Sequence, residues 1–488
     1  MREIMMSETI IGNKGDKRFD LVIIGAGPGG LFAAYKIIEN IKNIRILVLD
    51  KGKEPSKRIC PAIDNVCENC KVCNLISGGG GAGLFSDGKL TLDLSVGGYL
   101  KKFIPHERRT ELEKEIKEVI EKFSTSYIYH IPSPDNELLT CLKKRDLNFK
   151  PYPVIHLGSD NLRKFISNFI SYLQNKGVKF SFDTSVFFIT NKTSSGKWLV
   201  KIKRNGNLNQ IESNYLIVSA GKEGNFWFSP LVKELDGKVE DNNTYLGIRL
   251  EINNSTARPL YELSLDPKIY QGRGNIKIKT HCFCRHGQIL LLKYFDLPLV
   301  GGHTPFVEID KNYSLTKFPN SNFAILYRDD TICTWERAIE CMKKVDEITG
   351  GNLLVQRLGD YLNDIPTTKQ KLNDNSIKPS NLNITPGHVS EEILPGFKDN
   401  FLLFLEHLSS CVPDILNPDN LIYAPAIEWW MKKIEVNKHM EVYNLPDLYA
   451  IGDGSGLTQG IVQSAAAGII AAENVLMKKE VSFYECIK

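Results

Sequence analysis

Long apolar runs, a charge of one sign and a leader-like N-terminus are all lacking from this sequence. Its longest apolar stretch, residues 21–34, is interrupted by glycines and a proline and is shorter than the roughly 20 residues that a membrane-spanning helix needs. Residues 1–18 have no continuous apolar segment, so we expect no secretory signal and a cytoplasmic location. The formal net charge is only +4, and no basic cluster is interleaved with aromatics. We therefore expect neither a membrane nor a nucleic acid as partner.

The remaining composition is that of an ordinary globular protein. The chain has 488 residues, of which 42% are hydrophobic and 24% charged. At roughly 100 to 200 residues per domain, this length predicts two or three domains, some of them discontinuous.

A glycine-rich turn near the N-terminus indicates a nucleotide-binding unit. Residues 19–30 join a β-branched run to the pattern Gly25-x-Gly27-x-x-Gly30, and helical periodicity follows. Gly25 would permit the turn, Gly27 would let the backbone approach a pyrophosphate, and Gly30 would let the helix pack on the strand. Residues 45–49 predict a second strand that ends at Asp50, whose carboxylate could accept hydrogen bonds from the adenosine ribose.

Later segments favour FAD over NAD as the dinucleotide. Residues 447–456 predict a strand that ends in Gly452 and Asp453, with the carboxylate beside the ribityl chain. A small-residue helix that begins around Gly460 and Ile461 would point its N-terminus toward the flavin. A strand over 214–220 ends at Gly221, where the chain would return to the cofactor, and the strand over 179–190 could contact adenine near Val186. No second GxGxxG pattern is present, so NADH or NADPH would bind only transiently as a donor.

Several longer motifs resemble a known family. They are RICP at 58–61, the Cys-x2-Cys-x2-Cys run at 67–73, GGGGAGLFSDGKL at 78–90, KTHCFCRHG at 279–287, QRLGD at 356–360 and GDGSG at 452–456. Together they resemble the FAD-dependent dehydrogenase-like proteins of the glutathione-reductase-type flavoprotein fold, over nearly the whole chain. Ser455, Gln459 and the pair Arg285 and His286 depart from the family pattern as we know it, which is consistent with a shifted substrate.

The resemblance implies an α/β fold in which a Rossmann-like FAD-binding domain, of the two-dinucleotide-binding-domain type, carries an inserted α+β substrate domain. We expect the FAD-binding domain at 18–100, 150–235 and 395–478, a helical insertion at 101–149 and the substrate domain at 236–394. In the glycine-rich loop, backbone could lie flat against the flavin ring. The expected contacts from this loop and from the preceding motif are Arg58, Gly81, Ala82, Gly83, Ser86, Asp87 and Lys89.

Four of the eleven cysteines, Cys60, Cys67, Cys70 and Cys73, fall within fourteen residues. This spacing could hold zinc or an iron–sulfur cluster, and free thiols or a redox-active disulfide are equally good interpretations. Cys282 and Cys284 could join such a site if the chain folds back, although a Cys-x-Cys pair on one strand face more often reflects packing.

The expected activity is hydride transfer between flavin N5 and a small organic substrate by an FAD-dependent oxidoreductase. A flavin monooxygenase or oxidase is an alternative, and a non-catalytic flavin or metal redox sensor is another. Acid–base candidates are His286, His303, Glu428 and Lys89, with His281 also considered; a structural role is the competing interpretation for each. The sequence indicates neither the substrate nor the oligomeric state.

Overall fold

The computed structural model describes residues 17–132, 137–190, 196–304 and 318–485, with backbone only for 481–485. Its strands, in chain order, are β1 Arg18–Ile24, β2 Ile46–Leu49, β3 Lys89–Thr91, β4 Ile128–His130, β5 Asn148–Phe149, β6 Val154–His156, β7 Lys179–Ser181, β8 Thr184–Thr190, β9 Trp198–Arg204, β10 Asn207–Val218, β11 Val239–Glu240, β12 Tyr245–Asn253, β13 Ile269–Arg273, β14 Ile276–Cys284, β15 Gln288–Tyr294, β16 Leu297–His303, β17 Asn320–Asp329, β18 Leu353–Arg357, β19 Ile384–Pro386, β20 Leu421–Glu428, β21 Lys433–Ile434 and β22 Leu448–Ala450. Its helices are α1 Pro28–Asn40, α2 His106–Phe123, α3 Glu137–Lys144, α4 Gly158–Asn175, α5 Gly221–Glu234, α6 Asn254–Leu263, α7 Trp335–Thr349, α8 Leu358–Leu362, α9 Lys369–Asp374, α10 Phe397–Ser409 and α11 Ile461–Glu485.

The first sheet has the strand order β7-β2-β1-β10-β9-β8, and β22 pairs with the last part of β10. The pairs β7–β2, β2–β1, β1–β10 and β10–β22 are parallel, whereas β8, β9 and β10 form an antiparallel meander. Residues 21–24 of β1 and all of β2 are apolar and buried, as is typical of the central strands of a parallel sheet. This topology confirms the Rossmann-like sheet that the sequence predicts.

Helices α1 and α11 cross with their backbones nearly in contact. A Cβ on Gly468 of α11 would lie 2.2 Å from the carbonyl oxygen of Gly29 in α1. The small residues Ala465, Ala466 and Ala467 are completely buried beside this crossing. The small-residue composition of α11 therefore serves close packing as well as any role at its N-terminus.

The second sheet has the order β19-β18-β20-β12-β17-β14-β13-β5, and only its β18–β19 pair is parallel. Its strands β12, β13, β14, β17 and β18 come from the segment predicted for the substrate domain. Strand β20 lies between β18 and β12 in this sheet, although its residues fall within the segment predicted for the FAD-binding domain. The fold class is thus confirmed as α/β with an inserted α+β part, and the domain boundaries stay a prediction.

Three smaller sheets complete the described chain: β3-β6-β4, the hairpin β15-β16 and the pair β11-β21. The segment predicted as a helical insertion contains α2 and α3, and also β4 and β5, the second of which extends the second sheet. A disulfide joins Cys141 of α3 to Cys411, just after α10. None of the helices in the described ranges is both long enough and apolar enough to cross a bilayer.

Candidate functional site

A cavity of about 970 Å³ lies between the two sheets and opens on the carboxyl ends of the parallel strands. Strands β1, β2, β10 and β22 run in one direction, so the residues that follow them meet at one edge of the first sheet. Its volume is at the upper end of what small-molecule sites in proteins have. We call the part lined by the first sheet and its loops the glycine half; it comprises Gly25, Gly27, Asp50, Gly81, Ala82, Gly83, Val186, Gly221, Gly452, Asp453, Gly460 and Ile461.

The turn after β1 requires glycine at two positions for different reasons. Gly25 has φ +108°, and a Cβ there would lie 2.1 Å from the carbonyl oxygen of Ser219. A Cβ on Gly30 would lie 2.2 Å from the carbonyl oxygen of Gly25, so Gly30 allows packing and does not line the cavity. Gly27 has an ordinary extended φ of −79°, and a Cβ there would meet only the Cα of Gly81, at 3.8 Å. Its missing side chain therefore leaves room in the cavity at the start of α1, where no side chain caps the helix.

Asp50 follows β2 and faces the cavity with its carboxylate held by backbone. Its Oδ2 accepts a hydrogen bond from the Ala26 N–H at 2.9 Å, and its Oδ1 accepts one from the Gly52 N–H at 2.9 Å. Burial raises the pKa of Asp50, and these two N–H groups only partly offset that effect. The fixed carboxylate keeps lone pairs toward the cavity, as acceptance from ribose hydroxyls would require.

Asp453 holds the equivalent position after β22. Gly452 before it has φ +71°, and the carboxylate accepts a hydrogen bond from the Ser464 hydroxyl at 3.1 Å. Burial raises the pKa of Asp453 as well. Gly460 and Ile461, at the N-terminus of α11, also line the cavity, so the ends of α1 and α11 both face it.

The glycine-rich loop lies across the turn after β1. The Gly80 N–H donates to the Ala26 carbonyl at 2.8 Å, and Gly78, Gly80 and Gly81 all have positive φ. Arg58 fixes the loop from behind, because its guanidinium donates to the carbonyls of Asn74, Gly79 and Gly81. Arg58 is completely buried and does not line the cavity. Arg58 therefore does not contact a cofactor in the cavity, although the sequence suggested that it would. It holds in place the glycine-rich loop, which faces the cavity.

The other loop residues named from the sequence do line the cavity. Ser86, Asp87 and Lys89 all face it, and the Lys89 ammonium pairs with the Asp87 carboxylate at 2.7 Å. Burial opposes ionisation of Asp87, but the charges of Lys89 and His156 outweigh it and lower the pKa of Asp87. The positive charge of Lys89 is therefore already compensated by Asp87.

The wall opposite the glycine half is basic. Its cationic side chains, which we call the basic half, are Lys101, Lys102, Lys150, Lys268, Lys277, Lys279 and Arg328. Lys279 pairs with Glu428, and Lys268 lies 3.9 Å from Asp266. Within the described ranges Lys150 makes no salt bridge, and burial together with Lys101 and Lys268 lowers its pKa. Ten Lys and Arg side chains against six Asp and Glu line the whole cavity, so its net charge is positive.

The four acid–base candidates separate into two pairs. Glu428 and Lys89 line the cavity, each in an ion pair with a neighbouring charge. His303 instead contacts Ser159 and Gln288, at 3.3 and 3.1 Å, and His286 contacts Asn254 at 2.6 Å. Neither of these histidines lines the cavity, so neither can contact a substrate inside it. His303 instead links β16 to β15 and to the start of α4, and His286 links the β14–β15 loop to the start of α6.

His281 is the histidine that faces the cavity. Its Nδ1 is buried without a hydrogen-bond partner among the described residues. Burial, together with Lys268 and Lys279 and against the effect of Glu428, lowers its pKa to about 3. The imidazole is therefore neutral throughout the physiological range. Its motif was visible in the sequence, but only the sheet register shows that it points inward.

The cysteine cluster at 60–73 lies outside the cavity. All four thiols are free and partly exposed, and burial raises the pKa of Cys60 to about 11. Their sulfurs do not gather into a group of three within 4.8 Å. In the described residues such a group forms elsewhere, from Asp87, Cys282 and Cys284. Metal binding by the cluster stays a prediction, and the convergence of Cys282 and Cys284 beside the cavity was not expected from the sequence.

Comparisons with known proteins give distant similarities. No family model matches this sequence. A protein of Clostridium beijerinckii (strain ATCC 51743 / NCIMB 8052) that is described as uncharacterised is 22% identical, and the match covers 98% of this chain and 84% of that protein.

Two solved structures of oxidoreductases are similar to this chain at TM-scores below 0.5. An L-α-glycerophosphate oxidase from Mycoplasma pneumoniae with FAD bound is 12% identical, with 94% of each chain covered and a TM-score of 0.41. A 3-ketosteroid-Δ4-(5α)-dehydrogenase from Rhodococcus jostii RHA1 is 10% identical, with 94% of this chain and 97% of that chain covered and a TM-score of 0.42. These similarities are too distant to indicate a function, and the glutathione-reductase-type relationship stays a prediction.

Proposed function

We propose that the protein binds FAD non-covalently in this cavity and is an FAD-dependent oxidoreductase of a small organic substrate. One observation carries the proposal: the N-termini of α1 and α11, the carboxylates of Asp50 and Asp453 and the glycine-rich loop converge on a single cavity. Uncapped N–H groups at a helix start suit a pyrophosphate, and fixed carboxylates suit ribose and ribityl hydroxyls. A Cβ at Gly27 would fill the space through which the pyrophosphate approaches the backbone.

In this proposal the residues around the cofactor bind and orient. Asp50 accepts hydrogen bonds from the adenosine ribose, and Asp453 accepts them from the ribityl chain. Gly81, Ala82 and Gly83 offer backbone to the flat ring system, held in place by Arg58. When bound, FAD supplies hydride transfer at N5.

We assign a positioning role in the substrate part of the cavity to His281. Its imidazole stays neutral because its pKa is about 3, so it can offer a hydrogen bond without a charge, whereas Glu428 is held as an anion by Lys279. The excess of lysines in the basic half points to an anionic substrate, because a negative charge next to the partly buried Lys150 would offset the burial and the lysine charges that lower its pKa.

The direct test is FAD content. Purified protein, or apoprotein reconstituted with FAD, should carry flavin absorbance, and acid should release intact FAD. Gly27→Ala should weaken FAD binding at least about tenfold, because one methyl group placed in a close contact costs about 1–3 kcal/mol. Gly272→Ala in β13 is the matched control, since its Cβ would meet only the Ile276 carbonyl oxygen, at 3.9 Å, outside the cavity. A colourless protein that cannot be reconstituted would overturn the proposal.

The reaction class needs a second measurement. The FAD-loaded protein should be reduced without oxygen, by NADH, NADPH or dithionite in separate samples, and then mixed with air. Slow reoxidation without a stabilised oxygen adduct supports a dehydrogenase or reductase. Rapid reoxidation would replace that class with an oxidase or a monooxygenase.

A further inference from the structure

Strand β14 ends in an irregularity that brings two cysteines together. Its register with β17 shifts between His281 and Cys284, and Cys282 has φ +53°, a left-handed conformation that side-chain-bearing residues seldom adopt. In a regular strand, alternate residues are separated by two rises of about 3.3 Å. Here the sulfurs of Cys282 and Cys284 lie within 4.8 Å of each other, with a carboxylate oxygen of Asp87 equally near.

The two thiols differ in access. Cys282 is partly exposed and lines the cavity, whereas Cys284 is completely buried behind it. A small molecule in the cavity can therefore reach Cys282 first, and Cys284 is placed to react only with its neighbour. One accessible and one buried thiol is the division that a dithiol–disulfide pair requires.

A buried cation stands beside this pair. Arg249 of β12 is almost completely buried and donates to the Cys284 sulfur at 3.0 Å and to the Cys282 carbonyl at 2.7 Å. Within the described ranges no carboxylate forms a salt bridge with it. A buried charge without a counter-charge is costly, so a thiolate at this position would stabilise the site.

The surrounding groups favour ionisation of Cys282 over Cys284. The hydrogen bond from the Cys284 thiol lowers the pKa of Cys282 to about 7, and Arg249 and Lys89 contribute, whereas burial and Asp87 oppose this shift. Tyr152 is a further titratable side chain that interacts with Cys282, and burial together with Asp266 raises the pKa of Tyr152 well above its usual value. Burial raises the pKa of Cys284.

A metal ion is the competing occupant of this position. The Asp87 carboxylate is already paired with Lys89 at 2.7 Å, and Arg249 already donates to Cys284. The positive charges of Lys89 and Arg249, both in contact with this position, would repel a metal cation. Thiol chemistry therefore fits the position better than metal binding.

We propose that Cys282 and Cys284 form a redox-active dithiol–disulfide pair that transfers electrons from a small anionic thiol to the cofactor site. A thiol attacks the Cys282 sulfur of the disulfide, which frees the Cys284 thiol and leaves a mixed disulfide on Cys282. A second thiol attacks the mixed disulfide, which releases the small disulfide and the Cys282 thiol. When the dithiol closes again to a disulfide, it gives up two electrons and two protons, which an oxidised flavin held in the glycine half would accept. This inference rests on the proposed function for its last step only.

The pair can be tested without the cofactor, because trypsin should release both thiols in one peptide, residues 280–285. After treatment of the folded protein with diamide, we expect this peptide to lose two hydrogens and to resist alkylation. In reduced protein, alkylation of Cys282 should reach its half-maximal rate near pH 7, against about 9 for an ordinary cysteine. The peptide 329–337, with the single buried thiol Cys333, is the internal control.

The cofactor step needs a second readout on the FAD-loaded protein without oxygen. 3-Mercaptopropionate should bleach the flavin, the cationic thiol cysteamine should do so more slowly, and Cys282→Ser and Cys284→Ser should each abolish the bleaching while FAD stays bound. Separate alkylation of both thiols after diamide, or one zinc per chain that Cys282→Ser removes, overturns the inference. If FAD binds but no disulfide forms, only this inference is lost; if the disulfide forms but FAD does not bind, the proposed function is lost and the last step with it.

Discussion

The two halves of the cavity are built in opposite ways. The glycine half consists mainly of backbone at the ends of parallel strands, and glycines keep side chains out of it. The basic half consists of long charged side chains from distant parts of the chain, and three of the seven lie on strands of the second sheet. The glycine half is therefore suited to one cofactor of constant shape. In the basic half, a single substitution of a side chain is enough to change which ligand is bound.

The carboxylates of the two halves show the same contrast. Burial dominates in the glycine half and raises the pKa of Asp50 and of Asp453. In the basic half lysines outweigh burial and lower the pKa of Asp266 and of Glu428. Asp50 and Asp453 in the glycine half therefore need hydroxyl donors from a ligand. The lysines of the basic half already neutralise the neighbouring Asp266 and Glu428, and positive charge remains in excess there.

The largest effect is expected from Gly25→Ala, which disrupts the turn after β1 that forms part of the glycine half. The new Cβ would meet the Ser219 carbonyl oxygen at 2.1 Å, at a residue whose φ is +108°. Both effects together should lower the free energy of unfolding by about 3 kcal/mol or more. Urea unfolding of the apoprotein measures this, with Gly272→Ala as control. A stability within 0.5 kcal/mol of wild type would show that the turn has another conformation.

The next effect concerns the cofactor contact at Asp50. Asp50→Asn replaces one acceptor oxygen by an NH2 group, so FAD binding should weaken about tenfold or more, as expected for a hydrogen bond to a charged group. In wild type, the carboxylate is fully present above its raised pKa, and FAD affinity should fall as the pH decreases through that value. Fluorescence titration of the apoprotein with FAD between pH 4 and 8 measures both. An affinity independent of pH in wild type and unchanged in the variant would contradict the ribose assignment.

In the basic half, Lys150→Met keeps most of the side-chain volume and removes the charge. Binding of benzoate, a simple anionic probe, should weaken about tenfold, because a charge-assisted contact is lost. FAD affinity should change less than twofold, since Lys150 does not belong to the glycine half. Benzoate titration followed by the flavin absorbance provides the readout, and Lys203→Met is the control, because Lys203 on β9 is exposed and lies outside the cavity. Equal benzoate affinities would place the anion site elsewhere.

The smallest effect is expected at the cysteine cluster. Cys70→Ser should leave FAD affinity within twofold of wild type and change the free energy of unfolding by less than about 0.5 kcal/mol, because the partly exposed thiol lies outside the cavity. Iron, zinc and acid-labile sulfide should be measured in the same preparations. A metal that is bound by wild type and lost in the variant would give the cluster a role of its own.

The glycine half was largely predictable from sequence because its determinants are local. The turn at Gly25 and Gly27, the carboxylate at Asp50 and the pair Gly452 and Asp453 each follow a strand that its own residues define. Parallel strands in one sheet then bring these turns to the same edge. Arg58 is the exception, because which side of a loop a buried guanidinium contacts depends on the packing around it.

The sequence by itself determined the parallel Rossmann-like sheet, its glycine turns and the carboxylates at the strand ends, because each depends on short-range patterns of hydrophobicity and backbone freedom. Only the tertiary structure decided which side chains share the opposite wall. The pairing of β14 places His281 toward the cavity, and the irregularity after it brings the thiols of Cys282 and Cys284 close together. Packing directs His286 and His303 away from the cavity. Such choices depend on strand pairing and buried charge between residues far apart in the chain, which no local pattern records.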